Sequence, residues 1–477
     1  MSHTVAARIG KSERRLGTLP LAPRHLLIPL LLAALCSSSA VATAQQHKAE
    51  APVPTAIYVT KSGDTLYAIA AHYLRDPRDW TVLSRLNHVP APRHLQPGFQ
   101  VRLPVALLKQ EPLSANVVAV SGLVEHAFRE GPYTPLLTNT TLGESDRLRT
   151  SHNGFATLEL ADGTHLSVPQ DSRLDLGTLR QTTLTGATDR EFDLRRGEVD
   201  SEGTHASKPD DHFQIRSPSV VAGVRGTNFR VHYETDDQVS AVEVLDGLVG
   251  VTPPTDMART HTPRLQAPPE QLVHAHFGSL THGRGEVGTP VALLAAPELS
   301  QPAKMQDETE LGFDLTPLPG AQAYRVQIAR DAGLLDMIAE TRVNAPHASF
   351  ANVADGNYFV RISALDHSGL EGLPKIYAFE RRQFGLAATA GMRPASRDYE
   401  FRWFAGNRGI ETRFRFVLAS TPDLHNPIVD QVDMSAGQIV VSNLPRGVYY
   451  WTIIGEQFEN GKFYEKANPI TTFTLDY

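Results

Sequence analysis

The sequence predicts a multidomain, mainly β protein with one small helical module near its beginning. Its 477 residues far exceed the ~150 residues of a typical domain, so several hydrophobic cores are expected. β-Branched and aromatic residues stand in short runs between turn residues, a pattern typical of strands. Similar segments also recur in the last third of the chain, which indicates repeated domains.

Residues 1–44 have the features of a secretory signal. Basic side chains precede the apolar run Leu26–Cys36, and the small residues 42–44 match a cleavage site. The run is much shorter than the roughly 20 residues that cross a bilayer, and Pro29 interrupts it. We therefore expect an exported, cleaved protein without a transmembrane span.

The chain has a single cysteine, Cys36, which lies in this signal. Cleavage would leave no thiol for catalysis, disulfides or metal binding. Leu35 stands where a lipid-attachment motif needs a small residue, so lipidation is not expected. The net charge of −7 at pH 7 disfavours nucleic acid and anionic membrane as partners, because both are bound through clustered Lys and Arg.

The first folded module begins with a strand and a helix. The β-branched and aromatic run at residues 57–60 predicts the strand. Asp64 is predicted to cap the helix that follows. One apolar face of this helix is formed by Leu66, Ile69, Ala70 and Tyr73.

A second helix and a second strand complete the module. Asp76 followed by Pro77 is a typical helix start, and Asn87 is expected to end the helix. A turn at residues 96–98 then leads into a closing strand at residues 99–103. The predicted order is strand, helix, helix, strand.

This segment resembles a LysM domain. The resemblance rests on Tyr58-x-Val-x-x-x-Gly-Asp-Thr-Leu-x-x-Ile-Ala, then Leu86-Asn87, Leu95-x-Pro-Gly and a final Leu-Pro. It implies binding of polymers that contain N-acetylglucosamine, which in a bacterium means peptidoglycan. The main departure is a longer segment at residues 75–80.

The resemblance also implies a groove between the loop after the first strand and the loop before the second. The expected glycan-binding residues are Gly63, Asp64, Thr65 and Leu66 on one wall, and Asn87, Arg93, His94, Leu95 and Pro97 on the other. Each has a structural alternative: Asp64 and Thr65 are also typical helix caps, and Leu66 is a typical core residue.

Two hairpins are predicted in the middle of the chain. Alternating apolar residues lie on both sides of Asp162-Gly163, and the same pattern surrounds Asp246-Gly247. The segment 217–231 and the motifs 162–164, 194–199 and 242–247 resemble the periplasmic domain of the FecR family.

FecR proteins are sensors that span the inner membrane and signal to a sigma-factor partner. Since no cytoplasmic domain is recognisable before the apolar run, we expect the fold to carry over without the sigma-regulatory function. Arg225 lies between two glycines and is interpreted as a structural arginine rather than a partner contact. His274, His276 and His282 are candidate zinc ligands, but no acidic residue has matching spacing. We therefore expect neither a metal nor a cofactor.

The last third contains two similar segments. Residues 324–329 align with 414–419, and residues 356–361 align with 447–452. Repeats of alternating strands at this length predict two β-sandwich domains of immunoglobulin or fibronectin type III kind. Three aromatic residues could stack on sugars but are expected in the core instead: Tyr358, Tyr449 and Trp451.

The domain organisation follows from these segments. We predict a signal peptide at 1–44, a linker at 45–55, the LysM module at 56–104, the FecR-like β domain at 115–252, a loop-rich connector at 253–294, and β-sandwich repeats at 295–388 and 389–477.

Three functions compete. The favoured one is a non-enzymatic protein of the periplasm or cell envelope of a Gram-negative-type bacterium that binds peptidoglycan and displays its β domains. The alternatives are envelope sensing through the FecR-like domain, with another envelope protein as partner, and cell-wall hydrolysis. No catalytic residues are predicted.

Overall fold

The computed structural model describes residues 54–90, 95–203, 208, 210–224, 227–254, 270–283, 285–302, 305–308, 310–406, 409–459 and 461–476. The predicted signal, Arg93, His94, Arg225 and most of the predicted linker lie outside these residues. Within the described ranges, no helix is long and apolar enough to cross a membrane. The fold is mainly β with one helical module, as predicted.

The helical module has the predicted order. It consists of β1 (Thr55–Val59), α1 (Leu66–Tyr73), a 3-10 turn (Pro77–Asp79), α2 (Trp80–Leu86) and β2 (Gln100–Pro104). Strands β1 and β2 pair antiparallel, with Tyr58 opposite Val101. Asn87 ends α2 as predicted.

The predicted cap of α1 is wrong by one residue. Thr65 is the N-cap, and its hydroxyl accepts a hydrogen bond from the Ala68 amide. The Asp64 carboxylate cannot fill this position because it bonds backward, to Tyr58 and Lys61. Both residue types cap helices well, so only the loop geometry separates them.

The middle of the chain closes into a barrel with a large apolar core. Its strands are β3 (Gln110–Pro112), β4 (Ala115–Ser121), β5 (Val124–Phe128), β6 (Thr134–Pro135), β7 (Thr141–Leu142), β8 (Asp146–Thr150), β9 (Phe155–Leu160), β10 (His165–Val168), β11 (Arg173–Thr182), β12 (Thr188–Glu202), β13 (His212–Arg216), β14 (Val221–Val224), β15 (Asn228–Glu234), β16 (Val239–Asp246), β17 (Leu248–Thr252), β18 (Gln271–His274), β19 (Phe277–His282) and β20 (Val291–Ala292).

Strand β12 belongs to both sheets of the barrel. Its first part pairs with β11 and β13, and from Gly197 onward it pairs with β15. Gly197 has φ +78°, and a Cβ there would lie 2.3 Å from the Ser172 hydroxyl. A side chain would therefore be strained and would clash, which explains the glycine in the 194–199 motif.

One predicted hairpin is confirmed and the other is wrong. Strands β9 and β10 pair antiparallel around Gly163. At Gly247 the chain instead passes from one sheet to the other, since β16 pairs with β15 and β19 whereas β17 pairs with β14 and β18. An Asp-Gly pair predicts the tight turn (Gly247 has φ +85°) but not the partners of the strands beside it.

Two sandwiches follow. The first contains β21 (Met305–Gln306), β22 (Leu311–Asp314), β23 (Ala323–Ala329), β24 (Met337–Val343), β25 (His347–Phe350), β26 (Gly356–Leu365) and β27 (Lys375–Arg381). The second contains β28 (Leu386–Met392), β29 (Tyr399–Ala405), β30 (Thr412–Ala419), β31 (Val429–Met434), β32 (Gln438–Val441), β33 (Gly447–Glu459), β34 (Lys462–Ala467) and β35 (Thr471–Leu475).

The predicted repeat is confirmed in its central strands. Strand β23 pairs with β24 and β26, and its counterpart β30 pairs with β31 and β33. Tyr358, Tyr449 and Trp451 are buried, as predicted. The Tyr358 hydroxyl donates to the Ala354 carbonyl at 3.1 Å, and the Tyr449 hydroxyl donates to the Pro445 carbonyl at 2.7 Å.

Adjacent domains contact each other directly. Leu184 of the barrel packs against the core of the helical module, and the Lys109 amide donates to the Tyr73 carbonyl at 2.7 Å. Between the sandwiches, the Arg382 guanidinium bonds Glu459 at 2.6 Å and lies 3.6 Å from the ring centroid of Tyr464.

Candidate functional site

Two loops of the helical module are bonded to each other. The Leu95 amide donates to the Asp64 carbonyl at 3.1 Å, and the Gly98 amide donates to the Thr60 carbonyl at 2.8 Å. The Thr60 hydroxyl donates to the Gln96 carbonyl at 2.6 Å. Three hydrogen bonds thus fix the loop after β1 against the loop before β2, where the sequence predicts the two walls of a groove.

Asp64 organises the first of these loops. Its carboxylate accepts from the Tyr58 hydroxyl at 2.9 Å and from the Lys61 amide at 2.6 Å. Burial and the hydrogen bond to Asp64 raise the pKa of Tyr58 to about 12. Tyr58 therefore stays a hydrogen-bond donor at any physiological pH.

The predicted groove residues differ in what their side chains can reach. Gly63 and Pro97 lie in exposed turns, whereas Leu66 and Leu95 are buried in the core. The Asn87 amide donates to the carbonyls of Leu83 and Arg102, and its oxygen accepts from the Arg102 amide. Leu66, Leu95 and Asn87 are therefore placed to shape the module.

The sequence interpretation missed Thr60 as a part of this site. Its side chain is 3% exposed, and it both donates to Gln96 and accepts from the Phe99 amide at 3.0 Å. A polar residue ending a strand just before a Lys-Ser-Gly-Asp turn was the available signal.

A second unusual site is a row of polar side chains on the outer face of one barrel sheet. Paired positions place Ser167, Asp200, Arg230 and Glu243 next to one another on β10, β12, β15 and β16. Glu198 and His232 are also opposite each other on β12 and β15, two residues along each strand from Asp200 and Arg230. Arg230 and Glu243 are each 2% exposed, although an outer sheet face is normally solvated.

The first sandwich covers this face with charged residues of its own. Arg325 is 0% exposed and bonds Glu198 at 2.5 Å, Glu371 at 2.8 Å and Glu340 at 2.8 Å. Further contacts join Arg230 to Glu371, Arg361 to Asp200, and Arg342 to Glu198. We call these residues of the barrel and the sandwich, together with Glu243 and His232, the charged interface.

Burial favours the neutral form of the acids in the charged interface, whereas nearby arginines favour the ionised form. Burial raises the pKa of Glu243 to about 8 and that of Asp200 to about 6. Burial acts the same way on Glu371, but Arg230 and Arg325 outweigh it and lower that pKa to about 2. Burial also lowers the pKa of His232. At neutral pH the interface therefore contains ionised Glu371, protonated Glu243 and neutral His232.

The histidines considered for zinc lie around a turn. His274 ends β18, His276 has φ +68°, and His282 ends β19. In the described part of the chain, no group of three His, Cys, Asp or Glu residues has a geometry that could hold a metal ion.

Two family models match parts of the chain. The model described as "LysM domain" matches residues 58–104, the segment with the two bonded loops. The model described as "FecR protein" matches residues 146–250, which include the polar row of the barrel. The chain contains a LysM domain and a FecR domain. Both are binding or regulatory types of domain found in envelope-associated proteins.

Solved structures similar to this chain include a putative anti-sigma factor from Parabacteroides distasonis ATCC 8503, with 18% identity and a TM-score of 0.23. The match covers 31% of this chain and 59% of the other, so the chain spans about three fifths of that structure. The FN1–FN3 domains of chicken CNTN1 match with 13% identity and a TM-score of 0.20, over 59% of this chain and 99% of theirs.

Fibronectin(III)-like modules of Clostridium thermocellum CbhA also match, with 11% identity and a TM-score of 0.18, over 36% of this chain and 90% of theirs. No curated protein matches the chain by sequence.

Proposed function

We propose that this protein is a non-enzymatic component of the bacterial envelope that binds peptidoglycan through its LysM domain and displays the FecR domain and two sandwiches. The observation that carries the proposal is the pair of bonded loops in the LysM segment. A glycan is bound best by a preformed, rigid surface that offers polar backbone groups. Fixed loops keep the entropic cost of binding low.

The proposed site is the groove predicted from the sequence. Gly63, Thr65 and Pro97 would contact the sugar, and Asp64 would hold the first wall in place through Tyr58. Buried Leu66 and Leu95 and the hydrogen-bonded Asn87 would act by shaping the walls. Arg93 and His94 remain part of the proposed second wall. We also propose an exported location, release of the signal segment, and the domain limits predicted above with two changes. Strands β18, β19 and β20 of the predicted connector pair within the barrel, so the barrel domain extends to Ala292. The second sandwich begins with β28 at Leu386.

Co-sedimentation of the full chain with insoluble peptidoglycan tests this function. Pro97 is exposed and stands directly before Gly98, which has φ +87° and holds the turn. Pro97→Glu should therefore keep the turn while placing a charged side chain on the groove wall. We expect at least a tenfold loss of bound protein for this variant.

Pro422→Glu is the matched control, because Pro422 is an exposed proline in the second sandwich. It should bind like the wild type. Equal binding by both variants and the wild type would show that the groove is not the glycan site. Release of soluble muropeptides during the incubation would instead support the hydrolase alternative.

Envelope sensing through the FecR domain is the second candidate, favoured by the family match over residues 146–250. It requires a partner on the barrel surface that the first sandwich leaves free. Leu123, Phe128 and Leu137 are exposed there. A photo-crosslinking residue at each of these positions in living cells should yield one discrete adduct if such a partner exists, and none if the domain acts only as a scaffold.

A further inference from the structure

The charged interface contains one carboxyl group whose charge is poorly compensated. Glu243 lies on β16 between Arg230 on β15 and Gly278 on β19. One of its oxygens accepts from the Glu371 amide at 3.2 Å. The guanidinium of Arg230 bonds the Glu371 carboxylate and the carbonyls of Glu371 and Gly372. These hydrogen bonds of Arg230 therefore go to the sandwich and not to Glu243.

Charged groups of both domains act on Glu243. The barrel contributes Arg230 and Glu198, and the sandwich contributes Glu371. A cleft at the edge of the interface also includes His232, Glu234, Asp237, His282 and Arg342. This cleft connects the buried carboxyl group with solvent, so protons can exchange without unfolding of either domain.

We propose that Glu243 is the proton-holding group of a pH-sensitive joint between the FecR barrel and the first sandwich, and that the joint opens more readily when Glu243 loses its proton. In the closed joint a protonated Glu243 adds no negative charge beside Glu198 and Glu371. Ionised, it would add a negative charge beside both carboxylates in a buried interface, where like charges repel strongly.

The pH window follows from proton linkage. Glu243 has a pKa of about 8 in the closed joint and an ordinary value of 4.5 in water. The closed joint therefore keeps a proton that the open joint releases between these values, and it loses stability as pH rises through 8. The pKa of Asp200 is raised to about 6, and burial lowers the pKa of His232 from its ordinary 6.5. Between pH 6.5 and 8, Glu243 is the group of the charged interface expected to titrate.

Hydrogen–deuterium exchange of the full chain tests the proposal. The peptide containing the Glu371 amide, which donates to Glu243, reports opening of the joint. After correction for intrinsic exchange, the opening constant should rise ~10-fold from pH 6.5 to pH 8 in the wild type. Glu243→Gln keeps the shape and the acceptor but cannot ionise, so its opening constant should stay flat.

Glu234→Gln is the control, since Glu234 lies on the neighbouring strand β15 and its side chain is 46% exposed. It should keep the wild-type slope. A flat wild type, or a slope that persists in Glu243→Gln, would overturn the proposal. If Glu243→Gln fails to fold, the wild type alone decides: the slope of the opening constant against pH must correspond to one released proton, and a value of zero contradicts the joint.

Discussion

Each sandwich has an arginine at the equivalent position of the repeat, but one is buried and the other is exposed to solvent. Arg325 on β23 and Arg415 on β30 are equivalent in the repeat alignment, each on the face of its strand away from the sandwich core. Arg325 is completely buried among Glu198, Glu340 and Glu371. The side chain of Arg415 is 41% exposed and bonds Asp430 through two nitrogens, both at 2.8 Å.

The difference comes from the neighbour and not from the repeat. The FecR barrel covers the outer face of β23, whereas the outer face of β30 carries a side chain open to water. A repeat can therefore keep its internal core while its outer face becomes part of an interface. Three experiments test this comparison.

Removing each arginine should produce the largest contrast. Arg325→Met would leave three carboxylates without their shared cation, and breaking a buried pair in this way costs ~3–5 kcal/mol. Arg415→Met removes an exposed pair worth ~0–1 kcal/mol. Chemical denaturation followed by domain-specific fluorescence should show this order. Equal losses would mean that burial of Arg325 does not matter energetically.

Acidification should affect the first sandwich before the second. The pKa of Glu371 is lowered to about 2 from an ordinary 4.5, so its stabilising effect is complete above pH 4.5 and is lost as pH falls toward 2. Asp430 also has a lowered pKa, because of its hydrogen bonds to Arg415, but this exposed pair stabilises little. Thermal melting between pH 5 and 2.5 should show a steeper decline for the first sandwich, and Glu371→Gln should flatten it.

Loss of a tyrosine hydroxyl should act equally on both sandwiches. Tyr358 and Tyr449 each donate to a carbonyl four residues earlier, and both face the interior of their own repeat. Tyr358→Phe and Tyr449→Phe should each cost ~1 kcal/mol. Denaturation midpoints that differ strongly between them would show that the barrel also alters the inside of the first sandwich.

Local patterns predicted the units of this fold well. The helix face of Leu66 and Ile69, the Gly163 hairpin and the aligned strands of the repeats depend on neighbours close in sequence. The hairpin prediction at Gly247 was wrong because a turn residue determines only the local direction of the backbone. The strands on either side of it pair in different sheets. The prediction of the α1 cap was wrong because Asp64 and Thr65 are both good capping residues. Only the hydrogen bond from Tyr58 to Asp64 distinguishes them.

The two bonded loops of the LysM domain were predictable in their sequence positions, but the contacts that hold them together were not. Gly63 and Pro97 belong to a recognisable motif, but the role of Thr60 depends on its contacts with Gln96 and Phe99, more than thirty residues away. Asn87 likewise becomes a link to β2 only through Arg102.

By itself, the sequence determined the LysM motif, the FecR motifs, the two repeats and the apolar faces that form each core, because these follow from periodicity and short-range turn chemistry. Only the tertiary structure decided that Arg230, Glu243 and Arg325 are buried. Their strands look like ordinary half-exposed strands, and a charged side chain on an outer face becomes an interface residue only when another domain, distant in sequence, packs over it and excludes water.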